Sequence, residues 1–573
     1  MTARTRWTSR LRAAALAVGA IALGTISPAA AQIPMIADPT IEHQVLVSGL
    51  ADPTALAVTN DGRVIWVQRE GRVMVRHQDG SVVMAARLPV DAFDRTQTAG
   101  GQYGGGATCP RGDECPASFE LAEGGIHGIL LAPDFDTTGH IYLYYTVVGS
   151  LGQPVDPPKM PGARGDFAGP NALGGDDTEG KFRLSRFTLI GDTLDLESEV
   201  GLFENPAEWF HCCHYGGDME WLSDGTLVMT VGDDTISSES GGFSPHDQRL
   251  GQEYNNADKT SQNLADRRGK VLRIDIRDVD GDGSDIPTDN PFLTVAGADP
   301  YVYARGFRSN YRLDVNPDND TVYVSTVGPD GLTPDPNRGP QAHEEVEVIP
   351  PGGGTNHGWP RCIANNVPYN EYDFETGQAG AKFSCAGMTP APFWYAHGPS
   401  QTSPYVQMAA GGGTVIAGAV YKRPATGALR LPATYDNQFI WMEHSRDQIW
   451  RVPVNANGSL ANLPSDLVPV VYQGLLSPTD AQVGPDGALY VVEYGGGTWN
   501  NTNGRISRII CADCAPSAAD YGPGVAVTDP TAALAVAGLP VTEESVPMAP
   551  LWALLGVAGL LVARGLRRRR TVA

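Results

Sequence analysis

Alternating apolar and polar positions recur six times along this chain, each run entered through a turn rich in Asp, Asn or Gly. The runs are TNDGRVIWVQ from Thr59, APDFDTTGHIYLYYT from Ala132, LSDGTLVMTVGD from Leu222, NPDNDTVYVSTVG from Asn316, TYDNQFIWMEH from Thr434 and GPDGALYVVEYG from Gly484. Each is followed by a second strand-like run: GRVMVRH from Gly71, RLSRFTL from Arg183, GKVLRIDI from Gly269, EEVEVIP from Glu344, DQIWRVP from Asp447 and GRISRII from Gly504. Period-two alternation bounded by turn residues marks half-buried antiparallel strands, and no stretch of helical period competes with it. Strand pairs repeating every several dozen residues predict an all-β, six-bladed β-propeller. A further strand, HQVLVSGL at residues 43–50, is placed to close the ring against the last blade. The uneven spacing leaves residues 147–181 and 234–262 as long loops on one face, where function concentrates.

The two ends read differently. Arg4, Arg6, Arg10 and Arg12 precede an apolar run from Ala13 to Ile26 and then Ala29-Ala30-Ala31, which predicts a secretory signal peptide over residues 1–31. The propeller is expected over residues 32–514, with an Ala-, Val-, Pro- and Gly-rich linker over 515–538. Residues 539–573 open with Leu539-Pro540-Val541-Thr542-Glu543, continue through an apolar run and end in Arg567 to Arg570. That order resembles a sortase cell-wall sorting signal with Glu543 in place of Gly; the other reading is a transmembrane anchor with a basic tail. Either keeps an exported protein at the cell surface, with a sortase or the membrane itself as partner.

A net charge of -24 argues against nucleic acid as a partner. Eight cysteines in an exported chain predict disulfides. Proximity favours Cys109 with Cys115, Cys362 with Cys385 and Cys511 with Cys514, which leaves Cys212 and Cys213 as a vicinal pair. Cys511-x-x-Cys514 reads as a staple at the domain's end in preference to a redox site, because it lacks a strand-to-helix setting. Arg111-Gly112-Asp113 falls inside the first of these loops and reads as part of it.

The candidate chemistry centres on His211-Cys212-Cys213-His214-Tyr215-Gly216-Gly217, which leads straight into the third blade. His214 is thereby set near the central channel, either as a general base or as a hydrogen-bonding residue at the channel mouth. The blocks GGIHGILLAPDFDTTGHIYLYYT, HYGGDMEWLSDGTLVMTVGDD, SQNLADRRGKVLRIDI, IPTDNPF, VYARGFRSNYRLDVNP, VGPD, EEVEVIPPGGGTNHGWP and GPDGALYVVEYG resemble, in order, those of the soluble quinoprotein glucose/sorbosone dehydrogenases, over about residues 43–510. The resemblance implies a pyrroloquinoline quinone (PQQ) cofactor over a calcium ion on the top face, and oxidation of an aldose at its anomeric carbon with electrons passed to an external acceptor. It implies His214 as catalytic base and Arg308 beside cofactor and substrate. It further implies Glu123 in a cofactor-contacting position, Gly328 and Pro329 as carbonyl ligands of the cofactor's calcium, and Glu344 and Glu345 as an acidic pair tied to a structural calcium.

The chain also departs from that pattern. Arg446 is the fixed cation where the fifth blade should carry a lysine, and Leu475-Leu476-Ser477-Pro478-Thr479 stands where arginines are expected. Ser309 replaces an asparagine, and Cys213 replaces an aspartate before His214. A tricarboxylate cofactor needs such cations. A non-catalytic propeller binding wall or extracellular polysaccharide therefore stands beside the sugar dehydrogenase as a second reading.

Apart from the resemblance, Asp278, Asp280, Asp282, Ser284 and Asp289 follow the spacing of an EF-hand calcium loop without its helices. They predict either a calcium-stiffened loop or a bare acidic turn. Trp359, Trp394, Tyr395 and His397 offer either a carbohydrate-stacking wall or blade packing. Gln262-Asn263 reads as holding loop backbone.

Overall fold

The computed structural model describes residues 38–90, 123–147, 179–208, 214–235, 240–250, 252, 255–277, 285–398, 412–463, 470–496, 501–511 and 514. The expected signal peptide, linker and sorting segment, the Cys109–Cys115 and Cys212–Cys213 pairs, and Asp278, Asp280, Asp282 and Ser284 lie outside them. Among the described residues no helix is long and apolar enough to cross a membrane.

Six four-stranded antiparallel sheets make up the fold. Every strand pair expected from the alternation becomes the second and third strands of one blade. Val64–Gln68 pairs with Arg72–Arg76, Leu227–Val231 with Lys270–Ile274, and Val322–Thr326 with His343–Ile349. The inner strands are Pro53–Val58, Ile126–Leu131, Gly216–Trp221, Leu313–Val315, Val415–Tyr421 and Pro478–Val483; each neighbours the next in chain order, and the sixth returns to the first. Ile41–Leu50 pairs along Gly504–Cys511 as the outermost strand of the last blade, so the chain's beginning closes the ring on its end.

The second strands differ from the half-buried expectation. Val64–Gln68, Leu227–Val231, Val322–Thr326 and Leu489–Glu493 are buried at every position. Packing the faces of neighbouring blades against each other covers both sides of a central strand. The alternation therefore survives only near the rim, as in Arg72–Arg76. The core lies between blades. Trp441 stacks on Trp450 within blade five at 5.6 Å, and Tyr395 of blade four lies over Trp441 at the same spacing.

In four blades the register between inner and second strand slips by a residue at the inner strand's beginning, as at Pro53/Ala55, Ile126/Gly128 and Pro478/Asp480, and in blade five it slips mid-strand at Ala417/Ala419. Such bulges sharpen twist and re-aim side chains. Here they turn the strand starts toward a common axial cavity. Between the third and fourth strands of blade four, an insertion carries two small hairpins, Cys362–Ile363 with Val367–Pro368 and Asn370–Asp373 with Gln378–Lys382. The Cys362–Cys385 disulfide closes it, and Cys511–Cys514 forms at the end of the last strand.

Candidate active site at the propeller axis

All six blades contribute to an axial cavity of about 720 Å³, among them Thr54, His127, His214, Arg308, His444 and Thr479. His214 stands just before the inner strand of blade three, in a stretch that doubles back against the residues after Val231. Its amide neighbours are tied there: Gly232 N donates to Tyr215 O at 3.3 Å and Asp234 N to His214 O at 3.3 Å. A side chain on Gly232 would place its Cβ 1.9 Å from His214 O, so this close approach requires glycine. His214 itself takes φ +76°, in the left-handed region that non-glycine residues adopt only occasionally.

The ring of His214 is fixed by a residue the sequence reading passed over. Nδ1 donates to Asp233 Oδ1 at 2.9 Å. Asp233 is wholly buried, and its other oxygen accepts from Trp359 Nε1 and Thr235 Oγ1, both at 2.7 Å. Burial works to raise this carboxyl, but the His214 ring, Arg308 and the Thr235 hydroxyl outweigh it and hold the group below the usual carboxylate range. The only signal available was Val231-Gly232-Asp233-Asp234, an acidic pair at the cavity end of a buried strand.

Glu123 reaches the same loop from blade two. Its Oε2 accepts from His214 N at 2.8 Å and Tyr215 N at 3.3 Å, and burial pushes its carboxyl up. His127, one strand residue further in, faces carbonyls with both ring nitrogens, Gly216 O at 2.6 Å from Nδ1 and Glu123 O from Nε2. Burial lowers its pKa to about 4 against those carbonyls.

Arg308 enters from the segment leading to blade four, and its backbone carbonyl accepts from Asp233 N at 2.7 Å. Its Nη1 donates to Gly328 O at 2.7 Å and Val327 O at 3.2 Å, and its guanidinium lies 5.9 Å from the Trp359 ring centre. His214, Arg308 and Glu123 are therefore gathered around one cavity, with Gly328 O holding the Arg308 guanidinium. Arg446 is turned elsewhere: Nε donates to Gly412 O at 2.6 Å and faces the buried Glu443 at 3.3 Å, while its neighbours His444 and Ser445 line the cavity.

Glu344 and Glu345 fall on opposite faces of their strand, as consecutive strand residues must. Glu344 accepts from His397 Nδ1 at 2.6 Å and Val415 N at 2.8 Å. Glu345 turns toward the Ala364 amide and Glu347, and burial with that like charge raises its carboxyl well above the ordinary range. Asp289 is an exposed partner of Arg273 at 2.7 Å. Among the described residues no three His, Cys, Asp or Glu side chains converge as a metal site.

Of the aromatic candidates, Tyr395 and Trp394 pack between and along blades while His397 lines the cavity. Gln262 clamps the loop bearing Trp359 through Asn356 and the Trp359 carbonyl, at 3.0 and 2.6 Å.

Fold and site together define a six-bladed propeller with a carboxylate-braced histidine and an arginine at its axial cavity. The family model for Glucose / Sorbosone dehydrogenase matches residues 50–419, and the chain belongs to that family. Aldose sugar dehydrogenase YliI of Escherichia coli K12 is 24% identical over 293 residues, 51% of this chain and 60% of its own. An uncharacterised Synechocystis protein is 24% identical over 325 residues, 56% of this chain. The chain thus spans 60% of the length of each of these curated relatives. The apo crystal structure of the soluble aldose sugar dehydrogenase from Escherichia coli superposes with a TM-score of 0.50 at 18% identity, covering 82% of this chain and 99% of that one. That likeness shows the fold.

Proposed function

We propose that this protein is a PQQ-dependent aldose dehydrogenase that oxidises a sugar at its anomeric carbon. The observation that carries the reading is the His214–Asp233 pair beside Arg308 in the axial cavity. With Nδ1–H given to Asp233, the lone pair left for a substrate is on Nε2, the arrangement a general base needs. As Nε2 takes the anomeric hydroxyl proton, the Asp233 carboxylate stabilises the imidazolium that forms. Arg308, anchored on the Val327 and Gly328 carbonyls, keeps a fixed positive charge where negative charge develops.

The cavity's donor set fits an anionic quinone. Arg69 of blade one and Arg308 of blade four both line it, with the hydroxyls of Ser445, Ser477 and Thr479. Arg69 is already paired with the buried Asp52 at 2.9 Å, so Arg308 carries the larger part of any carboxylate recognition there. Of the Gly328 and Pro329 carbonyls expected to hold an accompanying calcium, Gly328 O accepts from Arg308 Nη1, so the ion would have to displace that bond. Such a quinone supplies, when bound, the hydride acceptor; the protein orients the sugar and moves the proton. The Escherichia coli relative's name, an aldose sugar dehydrogenase, supports the substrate class. The leader and the apolar, Arg-ended tail support an exported enzyme held at the cell surface, passing electrons to an external acceptor.

Titrating the calcium-loaded apoprotein with PQQ by calorimetry, then assaying dye reduction across a panel of aldoses, tests this reading. His214→Ala is expected to abolish turnover and leave quinone binding largely intact. Absence of binding at micromolar quinone would turn the reading to a polysaccharide-binding propeller.

A further inference from the structure

The inner strand of every propeller blade is a sheet edge, and its axis-facing carbonyls and amides have no strand partner. In this chain side chains on the axis satisfy them. Arg312, fully buried, donates from Nε to Thr479 O at 2.9 Å, from Nη1 to His127 O at 3.2 Å and from Nη2 to Thr54 O at 2.6 Å. One side chain from blade four thus joins the inner strands of blades six, two and one.

Three of the amides are met by carboxylates from the preceding blade. Asp480 accepts from Leu56 N at 2.8 Å, Asp218 from Leu313 N at 2.9 Å and Asp314 from Val420 N at 2.6 Å. Asp218 and Asp480 also flank the guanidinium at 3.7 Å each. Charge and hydrogen-bond geometry both demand a planar, multi-donor cation here, which lysine cannot replace.

Thr54, His127 and Thr479, whose carbonyls Arg312 holds, are among the residues that line the upper cavity, as is Tyr311, whose ring lies 4.3 Å from the guanidinium. Beyond Arg312 the same inner strands open on a second hollow of about 640 Å³, lined by Leu130, Glu220, Asp314 and Ala481 among others. The guanidinium therefore lies between the two.

We propose that Arg312 is a positioning residue that seals the central channel and fixes the floor of the axial cavity by tying three blades together. Its bearing on turnover rests on the sugar dehydrogenase reading; the tie itself does not. The strand positions that hold the floor would drift without it, carrying His127 and Tyr311 with them. Because Arg312 touches neither substrate nor cofactor, its effect is transmitted through those backbones.

Three measurements on the full chain test this. In the wild type, phenylglyoxal mapped by mass spectrometry should leave Arg312 unmodified while exposed Arg277 reacts; comparable reaction at both would overturn the seal. In Arg312→Lys, and in the Arg312→Met/Asp480→Asn variant that removes one charge of each sign, hydrogen exchange should rise at least tenfold in residues 53–58, 126–131 and 478–483. It should stay unchanged in the outer strands. A folded variant with unchanged exchange there would overturn the tie, as would full rescue by lysine, which keeps the charge and loses the fork. In the same variants PQQ affinity and kcat/KM should fall at least tenfold. A wild type that binds no quinone would defeat the enzymatic reading and leave the exchange result to decide the tie.

Discussion

At the residue scale the site depends on one carboxylate aiming one imidazole. Asp233→Asn keeps the shape but removes the negative partner of Nδ1–H, so kcat should fall by roughly 10²–10⁴, with circular dichroism unchanged. Steady-state turnover beside the far-ultraviolet spectrum checks both halves of that expectation. Gly232→Ala acts through packing: its Cβ would meet His214 O at 1.9 Å, and the loop must shift at a cost of about 1–3 kcal/mol, readable by urea denaturation. The position of His214 and Arg308 at the cavity was legible because both sit in short segments beside strands of clear alternation. Asp233 was not, because its partner is 19 residues away and the bond forms only when the hairpin doubles back. Arg446 shows the opposite failure. It has the right charge in the right segment, yet its guanidinium turns to Glu443, a buried carboxyl that would otherwise be left without a cation.

At the scale of elements, the second and third strands of each blade were readable and the inner ones were not. The former are continuous runs bounded by Asp-Gly or Asn-Asp turns. The latter are short, as at Leu313–Val315, or interrupted by bulges that break the period of two. Those bulges serve the cavity, so the pattern is weakest where the site is built. The strand Ile41–Leu50 closes the ring by pairing with Gly504–Cys511. Deleting residues 38–50 should bare that final strand as an edge, lower the melting temperature and promote concentration-dependent aggregation, checked by light scattering during a thermal ramp.

At the scale of the whole molecule, the axis gathers carboxyls from several blades into one polar column, of which Asp480 is buried and Asp218, Glu220 and Asp314 half-buried. Burial, with smaller contributions from Asp218 and Asp480, raises Glu220 from its ordinary value of 4.5 to about 7. A carboxyl raised in the folded state stabilises the protein while protonated. That contribution is fully present below about pH 4.5 and is lost as pH rises through about 7. Glu220→Gln should therefore flatten the fall in melting temperature across that interval, measured by scanning calorimetry in matched buffers. Calcium belongs to the same scale: if it binds only the folded state, a chelator should lower the melting temperature by mass action.

The sequence by itself determined the number of blades, the ring-closing first strand and the loop that carries the histidine. These depend on local alternation and turn residues, which a chain displays without reference to distant neighbours. Only the tertiary structure decided which carboxylate braces His214 and which arginines face the cavity. It alone brought Arg312 of blade four against the carbonyls of Thr54, His127 and Thr479, from 258 residues away in the first case. Contacts across blades are set by ring closure, and their spacing along the chain follows no period that hydrophobic patterning records.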